Sequence, residues 1–483
     1  MAQKNETSVL ILSLLITLGV IGGGWWFFKQ NNSFTGNNPQ SSTDVPNKSQ
    51  QPKPTTAIDS LISTGNRLLI TEGSSNNKET AVTALNKGDY EQAVSMLEAS
   101  LKTKRNDPEA LIYLNNARIG NDASHTLVAS VPISSSVNTA KELLRGVAQA
   151  QDEINQNGGI AGKLLKIAIA DDGNNSETAQ QLANAFAKDD SVLGVIGHFS
   201  SSVTLATAPI YQENNLVLIS PTSTSVEISG ASDYVFRTVP SDRYAGNALA
   251  KYLLQTLKQR KAAIIYTSES NYSKSLQNIF KTEVLSSGGE IVAEFDFAQP
   301  NFNVADIVQK ARQEGAEALI LFPSAAFPNT VNNSLAIIQI NNGNLPLLGG
   351  DSLYRPETLK ITGESGKGVV LAVPWHILSH LDSSFPQNAT CLWDGDINWR
   401  SALAYDATQA LAEAISINPT RQGIQEALSS DNFSISGASG NVKFLPSGDR
   451  DKAVQLVQIR SGNRSSFGVD FVPISLRPFS AIY

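Results

Sequence analysis

The chain has 483 residues, is 41% hydrophobic and 17% charged, and carries a formal net charge of −7. That length suits two or three compact units rather than one ordinary core. An acidic chain without a run of Lys or Arg gives no support for a nucleic-acid partner, and one cysteine, Cys391, excludes a disulfide within the chain.

The first element is VLILSLLITLGVIGGGWWFF, Val9 to Phe28, an uncharged apolar run. At about 1.5 Å per residue it reaches about 30 Å, the thickness of a bilayer's hydrocarbon core. Trp25 and Trp26 sit at one end, where amphipathic rings favour the headgroup layer. The expectation is a retained membrane anchor, with the rest of the chain in the periplasm or otherwise outside the cytoplasmic membrane. A cleaved signal peptide is the alternative, since Gly22 and Gly24 are small enough for a cleavage site. Residues 30–57, rich in Asn, Ser, Gln, Pro and Thr, read as a flexible tether that buries too little to offset ordering entropy.

Residues 58–119 read as helical. Gly88, Tyr90, Ala93, Leu97 and Asp107-Pro108 place small and large residues at the spacing of two closely packed antiparallel helices. This resembles a tetratricopeptide repeat of about one and a half units. A docking role and a short hairpin that only packs on the next domain both fit.

From about residue 125 strands and helices alternate. Apolar runs LVASVPI (127–133), LLKIAIA (164–170), VLGVIG (192–197) and LVLIS (216–220) are separated by amphipathic helices at about 139–156, 176–188 and 202–214. After VFRTVP the alternation restarts with AAIIYT (262–267), IVAEFDF (291–297), ALILF (318–322) and PLLGG (346–350). Helices at about 243–258, 272–286, 303–313 and 328–341 accompany them. Short apolar strands between helices predict a parallel sheet covered on both faces. Two such series predict an α/β chain of two doubly wound lobes joined by a hinge, with ligands outside the carboxyl ends of the strands.

Two hydroxyl-rich loops fall at that edge: His198 with Ser200–Ser202, and Ser220-Pro-Thr-Ser-Thr224. A nucleophile elbow needs G-x-S-x-G, which neither has, and nothing in the sequence orients His198 as a base. A helix starting near Ser202 offers free backbone N–H groups and a positive dipole end, and the Ser201 and Thr224 hydroxyls can donate beside it. The loops therefore suit a carboxylate, although Ser and Thr also serve as plain helix caps.

LRGVAQAQDEINQNGGIAGKLLKIAIADD, GHFSSSVTLATAPIYQENNLVLISPTSTS and VFRTVPSDRYAG, followed by AYDATQALAEAI and GASGNVKFLPSGDRDKAVQLVQI, resemble the type I periplasmic binding proteins. The likeness is strongest to the branched-chain amino-acid (Leu/Ile/Val) subgroup that feeds ABC transporters. It covers about 125–483 and implies lobe one at about 125–241 and 375–432, and lobe two at about 242–374 and 437–483. It also implies a site: Ser201 on the ligand's carboxylate, Thr222 and Thr224 on carboxylate and ammonium, Tyr272 closing over the ligand, and Asp351 pairing with the ammonium. PISSSVNTAK lacks the glycines and aromatic usual in the first loop, with Thr139 near the aromatic's place. Trp375 is the candidate substitute.

HILSH, with His376 and His380 four apart, lacks a third ligand, and GESGKG lacks the phosphate-loop spacing. Asp171-Asp172 read as caps. No metal, cofactor or catalytic residue is expected. The implied function is capture of an amino acid or related amide for an ABC importer. A membrane-fixed receptor signalling to a partner is the competing reading, and a hydrolase is the third.

Overall fold

Runs of Val, Ile, Leu and Ala bounded by Gly, Asn and Asp become buried strands, and these assemble into two sheets. The computed structural model describes residues 57–381 and 383–474. The Val9–Phe28 run and residues 30–56 of the expected tether lie outside them. Among the described residues no helix is long and apolar enough to cross a membrane.

The segment 57–119 begins with a two-residue strand, β1 (Ile62–Ser63), and then holds three helices: α1 (Asn76–Asn86), α2 (Tyr90–Thr103) and α3 (Pro108–Ile119). Side chains of Ser75, Asp89 and Asp107 cap their amino ends by accepting from Lys78 N, Gln92 N and Ala110 N. Asp107-Pro108 thus opens a third helix, Pro at its first position. The expected pair of helices is a trio because α3 is buried on almost every side, including Leu111, Ile112, Tyr113, Leu114, Ala117 and Ile119. A helix buried on nearly every side needs cover all round, and α1 and α2 supply one side of it.

Lobe one supplies the other. Its strands are β1, β2 (Ser124–Val131), β3 (Leu164–Asp171), β4 (Val192–Ile196), β5 (Val217–Ser220) and β6 (Val235–Arg237), ordered β1-β3-β2-β4-β5-β6. All neighbours are parallel except β1, which runs antiparallel along β3. Helices α4 (Val137–Gln156), α5 (Ser176–Lys188) and α6 (Ser201–Glu213) connect the strands.

The chain then enters lobe two through α7 (Asp242–Lys251) and β7 (Lys261–Tyr266), followed by α8 (Asn271–Ser286), β8 (Glu290–Asp296), α9 (Val304–Gln313), β9 (Ala318–Phe322), α10 (Pro328–Asn341), β10 (Leu347–Gly349), α11 (Pro356–Thr362) and β11 (Val370–Val373). It returns to lobe one as α12 (Ser384–Trp393), α13 (Trp399–Ile417) and α14 (Arg421–Leu428). A small hairpin, β12 (Ile435–Gly437) and β13 (Gly440–Val442), leads back to lobe two and to β14 (Gln455–Ser461) and β15 (Val469–Pro473). The second sheet is ordered β15-β14-β11-β10-β9-β7-β8. It is mixed rather than purely parallel: β14 pairs antiparallel with β11, and β15 with β14. No helix lies between β14 and β15, and the two strands add to the sheet edge as an antiparallel pair. The helix α13 packs tightly on α4, where a Cβ at Gly146 would collide with the Ser401 carbonyl oxygen.

One buried charge cluster ties the amino-terminal helices together. Lys78, 1% exposed, places Nζ 2.8 Å from Asp107 Oδ1 and 2.8 Å from Glu109 Oε2. Glu109 Oε1 accepts from Leu69 N, Ile70 N and the Tyr113 hydroxyl. Removing one member of a buried ionic cluster leaves uncompensated charge, at a cost of about 3–5 kcal/mol. Lys78→Met is therefore expected to lower unfolding stability by about that amount, read as a lower urea midpoint with an unchanged slope.

Candidate functional site

The carboxyl ends of β4 and β5 carry the two hydroxyl-rich loops, and hydrogen bonds sew them into one surface. Ser220 Oγ and Ser223 Oγ donate to the His198 carbonyl at 2.9 and 3.1 Å. Thr222 Oγ1 donates to the Phe199 carbonyl at 2.8 Å, and Ser201 Oγ accepts from Ser225 N at 3.2 Å. Ser201 therefore keeps its hydroxyl proton to donate, at the first turn of α6, where free N–H groups and the dipole favour an anion. The fully buried Arg237 fixes the second loop from below, donating through Nη1 to the carbonyls of Ser223 and Ser225 and through Nε to Asp449.

Lobe two faces this surface with the carboxyl ends of β7, β9 and β10. Tyr272, in the first turn of α8, and Asp351, after β10, are both drawn inward. The chain at Gly350 passes so close to Tyr272 that a Cβ there would collide with its hydroxyl. Burial pushes the Asp351 carboxyl up to about 6, against the opposing pull of the Arg400 charge and the Tyr272 hydroxyl. Burial first, and then the Asp351 and Asp242 charges, hold the Tyr272 phenol well above its usual range. Asp242, at the start of α7, is pushed up to about 7, mainly by burial.

Between the lobes lies a cavity of about 40 Å³ lined by Ser201 and Thr222 from lobe one, Tyr272, Ser324 and Asp351 from lobe two, and Trp399 and Arg400 at the start of α13. A larger cavity of about 520 Å³ opens beside it, walled by α4, by the start of α13, and by residues 354–359 and 464–471. Thr139 lines this second cavity, and so does Asn106 from the amino-terminal helical segment. Arg400 lines both. The lobes also touch directly. Ser202 Oγ donates to Asn271 Oδ1 at 2.8 Å, Asn271 Nδ2 donates to Glu227, and Val226 N donates to Ser275 Oγ at 3.0 Å.

Of the residues expected from sequence, Ser201, Thr222, Tyr272 and Asp351 meet at the small cavity. Thr224 does not. Its hydroxyl lies behind the loop beside Asp242 without an aligned hydrogen bond, and its carbonyl accepts from Asp242 N. Trp375 does not line either cavity. It is fully buried, stacked on His380 at 5.5 Å and packed edge-on against Phe385; as a large apolar ring following β11, it fills the core of the crossing instead. Arg400 and Trp399 were missed. Their only sequence signal is a cation, in NWRSALAYD, at the head of an otherwise small and apolar helix.

His198 does have an orienting group. Nδ1 lies 2.7 Å from Asp172 Oδ2, and Nε2 lies 3.0 Å from the Tyr211 hydroxyl, all three residues fully buried. The ring thus faces tyrosine rather than Ser200. Asp172 is more than a cap, since Ser130 Oγ also donates to it. His376 and His380 flank a 3-10 turn, Ile377–Ser379, so helical i, i+4 spacing does not apply to them. Burial pushes both down to about 4, which keeps them neutral.

A family model described as periplasmic binding protein matches residues 126–464. An amino acid binding protein of Pseudomonas aeruginosa is 28% identical over 194 residues, covering 40% of this chain and 51% of that protein. A Leu/Ile/Val-binding protein homolog of Brucella abortus is 28% identical over 239 residues, covering 47% of this chain and 61% of that protein. The chain thus matches between half and about three-fifths of the length of these curated relatives. Among solved structures, an ABC transporter substrate-binding protein of Desulfitobacterium hafniense in complex with Leu superposes with a TM-score of 0.61 at 24% identity, covering 72% of this chain and all of that one.

Asn271 lines neither cavity yet bonds to two residues of the opposite lobe. Each such bond contributes about 0.5–1.5 kcal/mol to the closed arrangement. Asn271→Ala is expected to favour the open arrangement, seen as a larger radius of gyration in small-angle scattering, with no change in the melting of either lobe.

Proposed function

The chain belongs to the periplasmic binding protein family, and from that premise we propose that it is an extracytoplasmic solute-binding protein that captures an amino acid or a related small amide between its lobes for an ABC-type importer. The observation that carries this reading is the pairing of opposite chemistries across one cavity. Lobe one offers the Ser201 hydroxyl and the free backbone N–H groups of the first turn of α6, which suit a carboxylate, and Thr222 lines the cavity beside them with its hydroxyl proton held by the Phe199 carbonyl. Lobe two offers Asp351, which suits an ammonium. A ligand holding both charges bridges the lobes and stabilises the closed state by its differential affinity for it. Tyr272 closes over it from lobe two. The names of the Pseudomonas, Brucella and Desulfitobacterium relatives support an amino-acid ligand, and Val9–Phe28 supports tethering to the outer face of the membrane.

A sensor is the second reading. The segment 57–119 is bonded into lobe one, so any displacement of that lobe on ligand capture is carried directly into it. A membrane signalling partner rather than a permease would then receive the signal. No step of either reading needs covalent chemistry.

Calorimetry of the full chain against amino acids and amides tests the proposal. Asp351→Asn is expected to weaken amino-acid binding by about ten-fold to a hundred-fold, the worth of a hydrogen bond to a charged group, while sparing ligands without an amine. Unchanged affinity across the panel would remove Asp351 from the site. The pH dependence has a definite sign. Asp351 is raised to about 6 when folded, so the apo protein gains stability from this group below the unfolded carboxylate range and loses it as pH rises through about 6. Ammonium binding needs the ionised form. Affinity should therefore hold above pH 6 and fall below it, by at most about ten-fold per pH unit. Asp351→Asn should abolish that part of the profile while leaving any contribution from Asp242.

A further inference from the structure

The two cleft cavities meet at Arg400, and its bonding is incomplete. Arg400 is 3% exposed. Its Nη1 donates to Glu142 Oε2 at 3.1 Å, and Glu142 is its only ion-pair partner among the described residues. Nε is buried and has no hydrogen-bond partner. The N–H groups of Nε and Nη2 point in parallel and form the fork that grips a carboxylate with two bonds. Because Glu142 takes Nη1, that fork is left over, at the junction of the two cavities. A buried charged donor without an acceptor is costly, so the arrangement is matched to an acceptor that arrives with the ligand.

The surrounding charges do not fill this role. Asp351 feels the Arg400 charge but forms no ion pair with it. On the opposite wall Glu357 pairs with Arg355, Asp396 with Arg464, and Asp470 accepts from the backbone of Arg464 and Ser465. On the same wall, Arg145 also lines the larger cavity; its Nε donates to Asn106 Oδ1 at 2.7 Å, and it forms no ion pair among the described residues. Two guanidiniums on this wall therefore have one carboxylate, Glu142, between them. An aliphatic side chain leaving the small cavity would meet this charged wall and lie against an unpaired fork.

We propose that Arg400 binds a second acidic group of the ligand, so that the ligand is an amino acid with an anionic side chain rather than an aliphatic one. This rests on the amino-acid reading above. Its α-carboxylate and ammonium occupy Ser201, Thr222 and Asp351, while its side-chain carboxylate lies on the Nε–Nη2 edge of Arg400.

The test is calorimetry of the full chain, purified in detergent to keep the apolar amino-terminal run soluble, with L-glutamate, L-aspartate, L-glutamine and L-leucine. The parent should bind at least one of the two acids at least about ten-fold tighter than glutamine. Arg400→Met should remove that preference by weakening acid binding about ten-fold to a hundred-fold, with glutamine changed less than about two-fold. Arg400→Lys keeps the charge and loses the fork, so it tests the same point should the Met variant fail to fold; it should lose most of the preference too. Tighter binding of leucine or glutamine than of both acids, or an acid preference that survives in Arg400→Lys, overturns the proposal while leaving the amino-acid reading standing. Binding of no member of the panel overturns both.

Discussion

Two consecutive residues of opposite charge hold the crossing between the lobes. Asp449 accepts from Arg237 Nε at 2.7 Å, and Arg450 donates to Asp406 at 3.1 Å. Both arginines are buried to within 1%, so each needs a full set of acceptors. Arg237 finds them in the carbonyls of Ser223 and Ser225 and in Ser229. Arg450 finds them for Nη1 and Nη2 in Ser439 and the carbonyls of Thr238 and Asn441, while its buried Nε has no hydrogen-bond partner. Through those acceptors the clasp reaches three parts at once: the second hydroxyl loop, the first crossing at Thr238, and α13, which carries Asp406 in its second turn and Arg400 at its start. The positions of Thr222 and Arg400 in the cleft thus depend on charges that never face it.

The same economy of burial explains why the cleft is poised to bind. Asp242, Asp351 and Tyr272 are drawn into one low-dielectric pocket, and all have pKa values raised chiefly by burial. Burial in each case disfavours the charged form of the group. A cationic group placed there relieves that cost, and the relief is available only when the lobes are together, since Tyr272 and Asp351 belong to one lobe and the hydroxyl loops to the other. In the proposed reading, closure and binding are one equilibrium.

How much of this was legible in the sequence follows from how local each feature is. The strands ALILF and LLKIAIA lie within a residue of their observed limits, because parallel strands buried on both faces read as continuous apolar runs. The cleft loops were legible because strand ends and hydroxyl clusters coincide there. What escaped is paired across long stretches of chain. Glu142 and Arg400 are 258 residues apart, so neither signals the other. His198 looked unsupported because Asp172, its partner, stood in a different strand–helix unit and resembled a cap. Thr224 was drawn into the site by its neighbours in the loop, but a turn of one residue sends its hydroxyl behind the loop to Asp242. Trp375 was read for its size near a crossing, where size equally serves a core. The antiparallel edge strands carried no parallel-sheet signal to find.

The amino-terminal helices show the same limit from the other side. As a sequence they look detachable, since the family match begins at residue 126. In the fold they complete lobe one. The edge of β3 is covered by only two residues of β1, pairing Ile62 with Ala170 and Ser63 with Ile169. Beyond that the Asn116 side chain continues the ladder, donating to the Ile167 carbonyl at 2.7 Å and accepting from Ile167 N at 3.1 Å. One amide thereby satisfies both backbone groups of an edge residue that a strand would otherwise have to pair. That bond anchors α3, the Lys78 cluster anchors α1 to α3, and Asn106, just before α3, reaches the cleft wall through Arg145. Burial of an unpaired sheet edge is thus what brings a segment outside the family match to the wall of the larger cavity, and its helices cannot be removed without exposing that edge.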